Sequence, residues 1–451
     1  MSKPAERSER STVLRHAGSV LVGQLAVMAF GVADTIVAGR YSDTALAALS
    51  VGSAVYISVY VSLMGIMQAL LPVFAELHGA KQPEELGRTL RQSLYLNAML
   101  LALGLALMLA PGPLLRWAQV PAATQPEIRA YLAVLAVALA PSLLFRTYAT
   151  LNQALGRPLL VTWIQVGSFF VKLPLSIWFV AGGAGLAPMG AVGCAWASLV
   201  VNYAMLAVAL YLLRSQALYR PLGLWRLPEP PQWRRIAEFA HMGIPSGLAT
   251  MIEITSFTLM ALFVARLGTI ASAAHQVAVS TAAVLYMFPL SLGIASSARV
   301  SYWIGAGEPV LARASARIGL QLASLCALVL FTIVYAGRQI WAGWYSNTPE
   351  VIALASALLA WVAFYHLADA LQCVCVFLLR CYRITLAPML LYATFLWGMG
   401  LLGGYVLSYQ GIGKVAPWQS PAGFWASATV ALWCVTLLLL ALLHHAAKRS
   451  L

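Results

Sequence analysis

Apolar residues recur along this chain in runs too long for a soluble core. Stretches near 13–38, 46–77, 85–110, 124–152, 158–181, 189–214, 234–266, 270–304, 310–336, 349–380, 384–408 and 420–446 are predominantly apolar. Each has the length of roughly 20 residues that carries a helix across a bilayer. Short polar, Gly- and Pro-containing breaks separate them. The pattern predicts an all-α integral membrane protein with twelve transmembrane helices. Several runs exceed the minimum, and tilt or extension beyond the lipid accommodates the excess.

Composition agrees with this reading. The 451 residues are 61% hydrophobic and 9% charged, against about 25% charged in a soluble domain. The net charge of +14 does not mark a nucleic-acid binder, because the basic residues are scattered through short connections between apolar spans. They concentrate on alternate connections, and this positive-inside bias predicts that both termini are cytoplasmic in an inner (plasma) membrane protein. The polar, basic start runs into a long apolar helix without a short apolar core and small-residue cleavage site, so no removable leader is expected. The six cysteines fall mostly in apolar segments without zinc spacing and read as small buried hydrophobes.

The chain divides in two. The segment 215–235 is the longest polar, Pro-rich stretch. It separates a first six-helix lobe, 1–214, from a second, 234–451, with 215–233 as a cytoplasmic linker. The halves repeat at an offset of 226 residues (79 to 305). His78-Gly79-Ala80-Lys81-Gln82-Pro83 matches Ile304-Gly305-Ala306-Gly307-Glu308-Pro309, and Arg40, Tyr60, Arg91 and Arg157 match Arg266, Tyr286, Arg317 and Arg383. Six helices per half give both repeats one orientation, so the pseudo-twofold axis runs along the membrane normal.

Three of the 14 acidic residues lie inside apolar spans: Asp34, Glu253 and Asp369. A charge at that depth costs on the order of 3 kcal/mol and marks a cavity, an ion path or a partner charge. On the first span Gln24, Gly31, Asp34 and Thr35 fall on one side at helical spacing. On the seventh, Ser246, Thr250, Glu253 and Ser256 do so, after Pro245. On the tenth, Tyr365, His366, Asp369 and Gln372 form a polar stripe. Glu253 and Asp369 can share Na⁺, a hard ion suited to oxygen ligands, or a proton. Either carboxylate can instead serve a structural ion pair, although no basic residue lies mid-span in the second half. His366 can be a coupling group or a packing histidine. Tyr286 can offer its ring to a cation or simply fill the interior. Gln276 and Asn202 suit a cavity or helix–helix contact.

Lys172 is the one basic residue in mid-span. Gln165, Ser168, Lys172 and Ser176 share a helix face, and a mid-span ammonium cannot readily snorkel to a surface. Asp34 is the mid-span acid of the same half, so a Lys172–Asp34 pair is expected. The alternative is Lys172 facing a cavity with water and carbonyl partners. No nucleotide-binding loop, nucleophile elbow or metalloprotease motif occurs, which argues against an enzyme, a lipid-modifying one included, and against an ATP-driven pump.

Taken together, Gly31-Val-Ala-Asp34-Thr35-Ile-Val-Ala-Gly39, Leu46-Ala47-Ala48, Pro72-Val-Phe-Ala-Glu-Leu-His-Gly79-Ala80, Ala273-Ala274-His275-Gln276-Val277-Ala278 and Met287-Phe288-Pro289-Leu290-Ser291-Leu292-Gly293 resemble the multidrug and toxic compound extrusion (MATE) transporters of the NorM-type branch. The resemblance implies two six-helix lobes around a central cavity. It also implies export of cationic amphiphilic drugs or dyes by a monomer among membrane lipids. Na⁺ or H⁺ would be exchanged, and there would be no other cofactor. By position, Asp34 would be the N-lobe acid, Glu253 and Asp369 the C-lobe cation ligands, and Tyr286 and Tyr365 their neighbours. The fifth span departs from that branch: Lys172 and Ser176 stand where its members carry Asn. The alternative within the same superfamily is a lipid-linked precursor flippase, which needs cavity cations to meet pyrophosphate.

Overall fold

The computed structural model describes residues 3–117, 121–122, 124–183, 185–226, 229–411, 413 and 416–449. Twelve of its helices are long and apolar enough to cross a membrane. They are α1 (Glu6–Tyr41), α2 (Asp43–Gly79), α3 (Pro83–Leu109), α4 (Gln125–Ala154), α5 (Pro158–Ala181), α6 (Ala191–Ser215), α7 (Trp233–Ala265), α8 (Thr269–Gly305), α9 (Pro309–Tyr345), α10 (Pro349–Cys381), α11 (Leu386–Gln410) and α12 (Ala422–Lys448). The twelve apolar runs of the sequence are thus twelve helices.

Local signals set their ends. Ser42 caps α2, its hydroxyl accepting from the Ala45 N–H at 3.1 Å. Proline occupies the first turn of α3, α5, α9 and α10, where its missing N–H costs nothing. The repeat extends to backbone conformation. Lys81 (φ 55°) and Gly307 (φ 75°), 226 residues apart, both take the left-handed turn before the next helix.

The helices gather into two compact units. One comprises Val22–Gly247, the other Met1–Leu21 together with Leu248–Leu451. The divisions fall inside α1 and α7, at positions themselves 226 residues apart (21 and 247). Each repeat therefore contributes the opening turns of its first helix to the other unit.

In the unit Val22–Gly247 the linker is strapped to α3. Arg91 donates to Glu229 at 2.7 Å and to the Gly223 carbonyl at 2.8 Å, Gln92 donates to the Pro230 carbonyl at 3.1 Å, and Tyr95 donates to the Glu229 carbonyl at 2.7 Å. Gly87 admits this approach, because a Cβ there would stand 1.7 Å from the Leu222 carbonyl oxygen. Tyr219 anchors the other end, donating to Asn152 at 2.7 Å. Read from the sequence as a polar connector, the segment 215–233 is a docked element; its positions 227 and 228 lie outside the described residues.

Candidate functional site

Each unit holds a mid-span acidic centre, and the two differ in charge. In the unit Val22–Gly247, α1 supplies Asp34, α5 supplies Lys172 and Ser176, and α6 supplies Ser198 and Cys194. Lys172 Nζ lies 2.8 Å from each Asp34 carboxylate oxygen and 2.9 Å from Ser198 Oγ. An ammonium has three N–H donors, and these three oxygens take them all. Ser176 donates to Asp34 Oδ1 at 3.0 Å, and the Phe30 ring centroid lies 5.8 Å from the ammonium. The Ser198 hydroxyl in turn donates to the Cys194 carbonyl at 2.9 Å.

Helical spacing on α5 produces this geometry. Gln165, Lys172 and Ser176 are buried and Ser168 half-buried, while Phe170 and Val171 between them are exposed. α1 and α5 pack closely at Gly23, where a Cβ would meet the mobile end of the Gln165 side chain, its Oε1, at 2.2 Å. On α1 Asp34 is buried and Gln24 half-buried, but Gly31 and Thr35 are exposed. Thr35 donates to the Gly31 carbonyl at 2.9 Å. Asn202, one turn beyond Ser198 on α6, is half-buried.

The second centre lies in the unit that contains Leu248–Leu451. Glu253 of α7 is half-buried, Asp369 of α10 is buried, and the two carboxylates interact electrostatically. Gln372, one turn along α10, donates to Asp369 Oδ1 at 3.0 Å. Its own carbonyl oxygen accepts from the Tyr392 hydroxyl of α11. Tyr286 of α8 and Cys373 of α10 are close enough to both carboxylates to interact with them. Tyr365 is buried edge-on against Phe257 and Trp425, at 5.9 and 5.8 Å between ring centres. His366 is buried, and its Nε2 has no hydrogen-bond partner among the described residues. Gln276 stands apart: it is exposed and its amide donates to Ser280 at 3.4 Å. The buried polar residue beside it is His275, whose Nδ1 accepts from Trp425 Nε1 at 3.2 Å.

The sequence reading left Glu253 without a basic neighbour. Arg380, near the end of α10, is buried, interacts with Glu253 electrostatically and sits 4.5 Å from the Phe377 ring centre. Tyr392, Ser198 and Phe30 were also missed, because a lone Tyr, Ser or Phe in an apolar span carries no distinguishing pattern. By sequence Glu9 lies in the polar, basic start of the chain. It is buried and accepts from Arg299 (2.9 and 2.7 Å), Trp303 (3.1 Å) and Ser315 (2.7 Å). The offset of 226 offered a signal for it: Glu9 and Ser315 correspond to Arg235 and Thr89, which also meet, at 3.3 Å.

The charge difference decides the chemistry. Asp34 is matched one-to-one by a contacting ammonium. Glu253 and Asp369 together carry two ionisable carboxyls, with one buried guanidinium, Arg380, in electrostatic range of Glu253 and no ion-pair contact to either carboxylate among the described residues. Two carboxylates in a low-dielectric interior are stabilised by positive charge or by protonation, and oxygen atoms of this kind can take either Na⁺ or a proton.

A twelve-helix membrane protein with two internally repeated units and paired intramembrane carboxylates belongs to the class of secondary transporters. The comparisons name the family. The MatE family model matches residues 20–178 and 245–406. The chain is 39% identical over 421 residues to a probable multidrug resistance protein NorM of Aromatoleum aromaticum, covering 93% of this chain and 90% of that one. It is 31% identical to a protein of the same name from Neisseria meningitidis serogroup B, covering 93% and 92%. In fold it resembles the Vibrio cholerae MATE transporter VcmN in the bent form (TM-score 0.87, 17% identity, 99% of each chain). It also resembles the eukaryotic MATE transporter AtDTX14 (TM-score 0.85, 20% identity, 99% of this chain and 100% of that one). The chain belongs to the MATE family and is of NorM type; it is a transporter, not an enzyme.

Proposed function

We propose that this protein exports cationic amphiphilic drugs or dyes across the bacterial inner membrane in exchange for an inward-moving cation. The relatives named multidrug resistance proteins support drug export as the general activity. The observation that carries cation coupling is the pair Glu253 and Asp369, two carboxylates with one buried guanidinium, Arg380, in electrostatic range of Glu253, beside Asp34 with an ammonium in direct contact. Glu253 and Asp369 are the coupling ligands. Gln372 and Tyr392 orient Asp369, while Tyr286 and Tyr365 line the same centre. Na⁺ is the favoured ion on ligand type, and H⁺ is the alternative with His366 as neighbour. Both termini are cytoplasmic, and the inside-negative membrane potential assists cation entry by about 2.3 kcal/mol per charge per 100 mV. The working unit is a monomer in lipid.

A flippase for lipid-linked precursors would want a free cation for pyrophosphate. Lys172, the mid-span candidate for that role, has all three donors committed to Asp34 and Ser198. The test is ethidium accumulation in an efflux-deficient host. Expression of the protein lowers it, and Glu253→Gln or Asp369→Asn restores it with the protein still in the membrane. Unchanged accumulation of every cationic dye on expression refutes drug export.

A further inference from the structure

The Asp34–Lys172 pair has a property that a carboxylate alone lacks. In the pair the Lys172 side chain is 2% exposed and that of Asp34 11%, so an arriving solute meets the carboxylate edge first. A cation that takes this carboxylate strands the lysine ammonium among apolar groups. An unpaired buried charge is costly enough that the neutral form takes over. Lysine can adopt that form by losing a proton; arginine in the same place cannot. The local groups are ready for the change. Ser198 now accepts from Nζ, and its hydroxyl can turn to donate to a neutral amine. The other titratable groups facing the pair are Cys194 of α6, whose thiol lies 3.8 Å from the Asp34 carbonyl, Tyr131 of α4 and, next to Tyr131, Tyr56 of α2. Thiol and phenols are ordinarily uncharged at neutral pH, so they do not compete for the role.

We propose that Lys172 is the proton carrier of the unit Val22–Gly247: a cationic substrate replaces its ammonium on Asp34, and Lys172 Nζ releases one proton to water. The N–H bond breaks, the electron pair stays on nitrogen, and one positive charge enters as one leaves. On departure of the substrate, Nζ takes a proton back and the pair closes again. This deepens the reading of the protein as an exporter of cationic compounds and rests on it. It gives that unit its own exchange, separate from Glu253 and Asp369.

The test uses tetraphenylphosphonium, a cation with no proton of its own to release. It is titrated into purified full-length protein carrying Glu253→Gln and Asp369→Asn, in weak buffer, with proton release and binding both recorded. The expected result is about one proton released per cation bound. On the same background Lys172→Met binds the cation without release. Lys172→Arg, which keeps the ion pair and with it the fold, binds about tenfold more weakly and also without release. Equal release from the Met or Arg variant, or binding to the lysine form without release, overturns the proposal and leaves drug export standing. Failure of the lysine form and of the unsubstituted protein to bind the cation overturns both.

Discussion

Glu9 accepts both hydrogen bonds that the Arg299 guanidinium fork offers, at 2.9 and 2.7 Å, and with Trp303 and Ser315 it ties the first turns of α1 to α8 and α9. Arg299 also lies 5.2 and 5.1 Å from the Tyr302 and Trp303 ring centres. Glu9 is buried, so removing either charge leaves the other uncompensated, at a cost of about 3 kcal/mol. We expect Glu9→Arg and Arg299→Glu each to lower the melting temperature clearly. The double variant should recover part of the loss. Thermal unfolding of the three variants in detergent checks this, and strictly additive losses would remove the pair as a stabilising contact.

The linker should loosen in acid. The Arg91 hydrogen bond, with the charges of Arg91 and Arg88, holds the Glu229 carboxyl below its ordinary value of 4.5. A carboxyl depressed in the folded state stabilises it fully above the unfolded value. That contribution is lost as pH falls through the lower folded value. Protease cleavage within 215–233 should therefore rise below pH 4.5 in the unsubstituted protein. Glu229→Gln should be cut faster already at pH 7 and show no such acid step.

Much of the fold was legible in the sequence because the bilayer imposes a length and polarity rule on every span. Helix number, repeat and the three mid-span acids followed from that rule. The Lys172–Asp34 contact was legible too, since each was the mid-span opposite charge of its half. What escaped was whatever depends on neighbours in space. Glu9 sits in a polar tail by sequence, yet its place opposite Arg299 and Ser315 buries it. Tyr392 becomes a partner of Gln372 only when α11 packs beside α10. Gln276 and Thr35 have polar side chains in apolar spans, and both are exposed with only local partners, Ser280 and the Gly31 carbonyl.

Asp34 and Lys172 should behave as one unit. Lys172→Asn alone leaves a buried carboxylate, and Asp34→Asn alone leaves a buried ammonium. The double variant leaves neither. A double-mutant cycle on thermal stability should give a coupling of at least about 0.5 kcal/mol, with the double variant more stable than the sum of the singles requires. Additivity would contradict a direct pair.

Tyr392→Phe removes the donor to the Gln372 carbonyl without changing ring volume. Gln372 then holds Asp369 less firmly, and a misplaced ligand costs ion affinity. Losing a hydrogen bond that orients a ligand typically costs about 10- to 100-fold in ion affinity. We expect the concentration of coupling cation giving half-maximal export to rise, with insertion and melting temperature nearly unchanged. An unaltered cation dependence would take Tyr392 out of the coupling site.

In the proposed exchange an inward cation gradient drives drug export through Glu253 and Asp369. The most direct measurement is ethidium movement in proteoliposomes under an imposed Na⁺ gradient or an imposed ΔpH, each applied alone. The account predicts uphill dye movement under at least one gradient, with Na⁺ favoured, and its loss in Glu253→Gln and in Asp369→Asn. Uphill movement under neither gradient, or undiminished movement in both variants, would contradict it.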